Sequence, residues 1–167
     1  FAPSNIALCK YWGKRQNELN LPVSSSLSVS LAYLGSRTQI RPATNGEDQV
    51  ILNGKLLMAD TPFARKVISF VNLFRGSQHF PLIVDTRNNI PTAAGLASSA
   101  SGFAALTLAL NQYFQLSLPD TVLSAFARMG SGSASRSVFT GFVEWRMGQQ
   151  EDGMDSHAFP LDVSWPD

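Results

Sequence analysis

Cysteine is nearly missing from this chain: Cys9 is the only one in 167 residues. A lone thiol excludes an internal disulfide framework and fits a reducing compartment. Charge is sparse as well. Asp, Glu, Lys and Arg make up 15% of the residues, the formal net charge is +1, and no run of Lys or Arg exceeds two. That balance argues against a broad nucleic-acid surface and leaves room for a focused pocket that takes a small anion. No apolar run reaches the roughly 20 residues that span a bilayer, and nothing reads as a signal peptide. The expectation is therefore a soluble cytoplasmic protein with no nucleic-acid or membrane partner, although a chain opening on Phe1 can have lost its true start. Histidine is limited to His79 and His157, isolated and without ligand spacing, which argues against a metal-only site. The carboxylates Asp85, Asp152, Asp155 and Asp162 follow no motif that nominates a general base, and metal ligands stay unassigned.

What the chain does have is apolar bulk, 44% of residues, and two stretches rich in glycine and serine. The first, Pro91 to Ser101 (P-T-A-A-G-L-A-S-S-A-S), runs directly into the apolar segment Gly102 to Phe114. A small-residue loop opening a helix presents unpaired backbone N–H groups at the positive end of the helix dipole, which is one way to hold a phosphate. Ser98, Ser99 and Ser101 add hydroxyl donors. The same residues also suit a plain cap on a buried helix. No G-K-[ST] follows Gly95, so this is not a Walker A loop, and the second glycine of a G-x-S-x-G nucleophile elbow is missing.

The second stretch, Gly130 to Ser137 (G-S-G-S-A-S-R-S), repeats that logic with an arginine inside it. Arg136 can grip a carboxylate or phosphate through two parallel hydrogen bonds, or pair internally with a carboxylate such as Asp155. A third cluster, Lys10 to Arg15 (K-Y-W-G-K-R), sets three cations and two aromatics around Gly13. It reads either as a phosphate grip using Lys14 and the Tyr11 hydroxyl, or as a solvated turn with Trp12 in the core. Two donor-rich turns and a Lys/Tyr turn suggest two anionic groups held close together, the geometry phosphoryl transfer needs.

The patterning predicts one α+β layered domain, residues 1–167. Expected strands are Ala7 to Tyr11, Ser24 to Ile40, Pro81 to Asp85, Gly141 to Met147 and Pro160 to Trp165. In the second of these, Leu27, Val29, Leu31 and Tyr33 alternate with Ser28, Ser30 and Ala32, as in a half-buried strand. Asn53-Gly54 joins Val50 to Leu52 and Lys55 to Leu57 as a hairpin. Thr61 caps a helix with Pro62 first and Gly76 beyond its end, its face Phe63, Val67, Phe70, Val71 and Phe74 lying on a sheet. The segment after the first serine loop is apolar nearly all round and should be the central helix. Asp120 caps a further helix through Val122, Phe126 and Met129, closed by Gly130.

P-T-A-A-G-L-A-S-S-A-S resembles the phosphate-binding loop of the GHMP kinase superfamily. Within it, N-I-A-L-C-K-Y-W-G-K-R from Asn5, E-D-Q-V-I-L-N-G, G-S-G-S-A-S-R-S and G-F-V-E-W are similar to the diphosphomevalonate decarboxylase family, in the same order through nearly the whole chain. The resemblance implies a ribosomal S5 domain 2-like α+β fold, a homodimer, and ATP with Mg2+ as cofactors. It implies phosphorylation of the C3 hydroxyl of mevalonate 5-diphosphate, then loss of phosphate and carbon dioxide to give isopentenyl diphosphate. Carried over by position, Ala94, Gly95, Leu96, Ala97, Ser98 and Ser99 surround the ATP phosphates. Tyr11, Trp12, Gly13 and Lys14 match the turn on the substrate diphosphate, with Arg65 a rough match beside them. Ser131, Gly132, Ser133, Ala134 and Ser135 match the second substrate segment. Arg136 engages the carboxylate end, and Asn5 and Lys10 orient the reacting groups. Family members are about twice as long, and their second half carries a catalytic aspartate with no match here, so the 167-residue chain alone is expected to be inactive. Relatives that decarboxylate the 5-phosphate or only phosphorylate mevalonate, and a nucleotide-binding module without chemistry, stay open as alternatives.

Overall fold

The computed structural model describes residues 1–76, 80–90 and 98–163. Its frame is a seven-stranded sheet built on one long strand, β4 (Ser26–Pro42), which pairs antiparallel with three others. β1 (Ala2–Cys9) runs along Leu27 to Ser36, β8 (Phe142–Trp145) along Ser26 to Val29, and β7 (Leu82–Asn88) along Ser36 to Pro42. β5 (Gln49–Leu52) joins β7 in parallel and folds back into β6 (Lys55–Leu56). β9 (Ala158–Pro160) pairs with β8 at the other edge, while β2 (Lys14–Gln16) and β3 (Leu21–Pro22) form a separate small ladder. The α+β class stands. The hairpin forms as its residues require: Asn53 and Gly54 both take positive φ, 51° and 81°, the conformation of a tight primed turn.

The helices are α1 (Pro62–Arg75), α2 (Ser98–Tyr113) and α3 (Asp120–Gly130), followed by a 3-10 helix, Gly132–Val138. α1 starts and stops where its residues say. The Thr61 Oγ1 accepts from the Ala64 N–H at 3.3 Å, and Gly76 takes φ 63° beyond the end. Its buried face (Ala64, Val67, Phe70, Val71) meets α2 and α3 as well as β5, so it lies on helices more than on a sheet. Phe63 turns outward and is 40% exposed. α2 is the central helix, touching β1, β4, β7, α1, α3 and the 3-10 helix. Val50, Val71, Leu82, Val84, Phe103, Leu106 and Leu110 close the core around it.

Several boundaries and faces differ from expectation. β1 begins at Ala2 and ends at Cys9, leaving Tyr11 in a loop, because buried Ala2, Pro3 and Ser4 already pair or pack on β4 and α2. Pro119, not Asp120, holds the cap position of α3, with its ring presetting φ at −68°. Asp120 is the first helical residue, where its charge still opposes the helix dipole favourably. The last strand starts at Ala158 rather than Pro160, since Trp145 pairs with Ala158; residues 164–167 lie outside the described residues. In β4 the period of two holds, yet the inner side is the polar one. Ser26 and Ser28 are buried, Leu27, Val29 and Leu31 are half-buried, and Tyr33 is exposed. Ser26 faces the Arg136 guanidinium of the 3-10 helix, while β4 otherwise packs on α2.

Candidate functional site

The 3-10 helix packs on α2, α3 and β1, and its register turns Arg136 inward. Two neutral side chains receive the guanidinium. Nη1 donates to the Ser26 Oγ at 2.6 Å and Nη2 to the Asn5 Oδ1 at 3.2 Å. Asn5 is itself fixed, its Nδ2 donating to the Ser133 carbonyl at 3.1 Å and to the Ser137 Oγ at 2.7 Å. The guanidinium carbon stands 5.8 Å from the Trp145 ring centroid, and Nε has no hydrogen-bond partner among the described residues. Arg136 is 2% exposed. Burial pushes its pKa down to about 10, against a smaller upward pull from Tyr11, so the group stays charged at neutral pH. Among the described residues it makes no ion pair. Asp155 does not supply one. Its carboxylate accepts the Gln149 and Gln150 N–H groups, at 2.6 Å and 3.2 Å, and those bonds hold it below the usual carboxylate range. Its described side-chain partners are both neutral acceptors, which leaves the charge itself uncompensated.

Tyr11 stands over this helix. Its ring meets Trp145 edge-on, centroids 4.7 Å apart, and a Cβ at Gly132 would come within 2.6 Å of the Tyr11 hydroxyl. Glycine at 132 is what lets the hydroxyl approach the backbone. Trp12 is 77% exposed, not in the core, and Gly13 takes φ 77° between Tyr11 and Lys14. Lys14 Nζ donates to the Asn20 Oδ1 at 2.6 Å, while the Asn20 Nδ2 donates to the carbonyls of Arg128 and Met129 at the end of α3. The Lys14 ammonium is thereby tied next to Gly130. Arg128, 1% exposed, bonds the carbonyls of Leu19, Gly153 and Ser156 and welds this loop to the 153–156 turn. Burial lowers its pKa to about 10. Lys10 is exposed.

The two serine segments touch. Ser99 Oγ and Ser131 Oγ are 3.4 Å apart, so the start of α2 and the end of α3 share one surface. Ser98 and Ser99 are exposed there; Ala94, Gly95, Leu96 and Ala97 lie outside the described residues. Ser101 is not a surface donor. One turn into α2, it is fully buried, bonding the Ser98 carbonyl and the hydroxyls of Ser4 and Ser36. Ser135 is also structural: its Oγ donates to the Gly132 carbonyl and its own carbonyl accepts from the Ser124 Oγ. Ala134 is buried, while Ser131 and Ser133 are partly open. Ser98 and Ser99 also close one end of a cleft of about 320 Å³, lined mainly by Val50, Leu52, Phe63, Val67, Phe103 and Leu106. Arg65 is not brought to this group. It is exposed on α1 beside a different depression lined by Glu47 and Asp48.

Asn20 and Arg128 escaped the sequence reading. The carbonyls they hold lie between 25 and 109 residues away, and no spacing marks them. The one local signal was an asparagine in the left-handed conformation, φ 52°, that only coordinates reveal.

The molecule is thus an α+β domain in which an apolar cleft lined at Ser98 and Ser99 adjoins the serine segment that carries the buried Arg136. Residues 2–158 match the model for the diphosphomevalonate decarboxylase-like N-terminal domain, and the chain belongs to that family. Among its relatives, the diphosphomevalonate decarboxylase of Candida albicans is 45% identical over 181 residues, covering 99% of this chain and 50% of its own length. The mevalonate diphosphate decarboxylase of Staphylococcus aureus matches with a TM-score of 0.88 and 40% identity, over 96% of this chain and 48% of that one. A structure of MDDEF in complex with MVAPP, AMPPCP and magnesium matches at 0.84 and 43% identity, over 96% and 49%. The chain thus spans about half the length of the relatives it matches. Among the described residues no helix is long and apolar enough to cross a membrane.

Proposed function

We propose that residues 1–167 form the ATP- and substrate-binding domain of a diphosphomevalonate decarboxylase. ATP transfers its γ-phosphoryl group to the C3 oxygen of mevalonate 5-diphosphate. The C3–O bond then breaks with departure of phosphate, and the electrons of the bond to the carboxylate form the new double bond as carbon dioxide leaves. The observation that supports this reading is the Ser99–Ser131 contact, Oγ to Oγ at 3.4 Å, at which the two serine segments meet. The apolar cleft takes the nucleoside, and Ser98, Ser99 and the Ala94 to Ala97 backbone take its phosphates. Magnesium would arrive on those phosphates; the described residues offer it serine hydroxyls and no group of three or more His, Cys, Asp or Glu. Tyr11, Lys14, Ser131 and Ser133 hold the diphosphate. Arg136 holds the carboxylate and Asn5 orients Arg136, while Lys10 adds positive charge near the transferring group.

The test is ATP-dependent release of carbon dioxide and phosphate, measured together on the native protein with mevalonate 5-diphosphate. Equal yields of the two are expected. Carbon dioxide only from the 5-phosphate, or ADP without carbon dioxide, would hand the site to a related phosphotransferase. Binding of ATP without any turnover would leave a nucleotide-binding module.

A further inference from the structure

We propose that the open side of the sheet at β4 and β7 carries a second, separate anion site, in which Arg37 and Arg87 grip the phosphate of a phosphomonoester whose organic part lies against Tyr33. It involves none of the residues assigned a role above. The two strands divide their side chains between the two sides of the sheet. On β7, Thr86 and Asn88 line the apolar cleft, whereas Asp85 and Arg87 line a depression with Arg37 and Gln39. On β4, the Ser36 Oγ meets the Ser101 Oγ of α2 at 2.7 Å, so its neighbour Arg37 faces away from the helices. Arg37, Gln39 and Arg87 are exposed there.

Arg37 and Arg87 stand directly opposite each other in the β4–β7 register. Like charges in that position destabilise a sheet, with Cβ atoms roughly 4.5–5.5 Å apart. One carboxylate lies near them. The Asp85 Oδ1 is 3.8 Å from the Arg87 Nε, too far for a hydrogen bond, and has no hydrogen-bond partner among the described residues. Arg37 makes no ion pair among the described residues. Two guanidiniums at this spacing can each present parallel N–H donors to one phosphate, which would relieve their repulsion.

The aromatic wall comes from an irregularity in the sheet. β1 pairs Asn5 with Ser30 and Pro3 with Gly35, so the residues from Leu31 to Leu34 are set against Ser4 alone. Ala32 takes φ 45°, a left-handed conformation that a residue with a Cβ adopts at a cost. Such bulges re-aim side chains, and here Tyr33 is left 87% exposed. Its backbone is nevertheless held: the Asn89 Nδ2 donates to the Tyr33 carbonyl at 2.6 Å, and the Gly35 N–H donates to the Asn89 Oδ1 at 2.7 Å. Tyr33, Arg37 and Arg87 line one depression of about 450 Å³ with Phe1, Asn88 and Asn89. A phosphate on the arginines therefore leaves an apolar substituent beside an aromatic ring on a fixed backbone corner.

The probes are inorganic phosphate and phenyl phosphate, titrated calorimetrically into the native protein and into Arg37→Gln, Arg87→Gln and Tyr33→Ala. ADP and mevalonate 5-diphosphate are present throughout to occupy the Ser99–Ser131 region. Phenyl phosphate should bind the native protein at millimolar concentration or below, at least fivefold tighter than inorganic phosphate. Each arginine variant should weaken both probes tenfold or more, while Tyr33→Ala should weaken phenyl phosphate alone. Urea midpoints of the arginine variants should equal or exceed that of the parent, because a like-charge pair is relieved, and decarboxylation should stay within threefold. The proposal is overturned if phenyl phosphate does not bind, if either arginine variant weakens it less than tenfold, or if Tyr33→Ala leaves its advantage over inorganic phosphate intact. A lowered urea midpoint in the arginine variants also overturns it, since the two side chains would then be serving the sheet. Failure of decarboxylation in the native protein bears on the proposed function and not on this site.

Discussion

Arg136→Met separates a ligand-gripping arginine from a structural one, because the two roles predict opposite changes in stability. Arg136 keeps its guanidinium 2% exposed, and burial lowers its pKa to about 10. At 1.36 kcal/mol per unit, that depression corresponds to a charging cost of about 3 kcal/mol. The sign is that of a base whose folded pKa is lowered. The cost is fully present below about pH 10 and is relieved as pH rises toward the unfolded value. Methionine removes the charge and keeps most of the volume. It leaves the Ser26 and Asn5 oxygens short of a donor, a loss of roughly 1–3 kcal/mol. The two contributions nearly cancel, so the urea midpoint should move little or rise. Binding behaves otherwise. A carboxylate seated on the guanidinium loses a buried charged pair worth roughly 2–5 kcal/mol, a drop in kcat/KM on the order of 10²- to 10³-fold. ATP affinity should stay within threefold, since Ser98 and Ser99 are untouched. Decarboxylation and ADP release are followed together, with nucleotide affinity and urea unfolding measured on the same preparation. A kcat/KM within tenfold of the parent refutes the carboxylate role. A clearly lowered urea midpoint would show instead that Arg136 is there to hold β4 and β1 to the 3-10 helix.

The remaining expectations concern the groups around that arginine. Gly132→Ala places a methyl 2.6 Å from the Tyr11 hydroxyl and should displace it, raising KM for the diphosphate about as much as Tyr11→Phe; the double variant should be no worse than either, which a double-mutant cycle measures. Asn20→Ala frees Lys14 and leaves two carbonyls of α3 without their side-chain donor, so stability should fall by roughly 1–3 kcal/mol and substrate KM should rise, read by thermal unfolding and kinetics. Asp155 is an acid whose folded pKa is depressed by two backbone N–H donors, so its contribution is full above the unfolded carboxylate range and fades as pH falls below it. Asp155→Asn should flatten the stability profile on the acid side and leave the Arg136 site unchanged, checked by unfolding between about pH 2 and 6.

How far the chain's residues announce this architecture depends on the range of the interaction that decides each feature. Thr61, Pro62 and Gly76 bound α1 through contacts within one turn, and Asn53-Gly54 bends the hairpin through its own dihedrals, so both are legible. The three donor-rich segments are legible for the same reason, being local in composition. The faces are not. Alternation in β4 shows that one side is covered without showing which, and burial of the apolar side is the natural expectation. Here Ser26 is turned inward by Arg136, 110 residues away, which needs an acceptor more than the core needs Leu27. Asn20 and Arg128 are invisible for the same cause, each defined by carbonyls brought to it by the rest of the fold. The inversion at β4 is itself informative. Ser26 faces the Arg136 guanidinium, so at that position the polar side of β4 meets a buried cation whose charge an incoming carboxylate would pair.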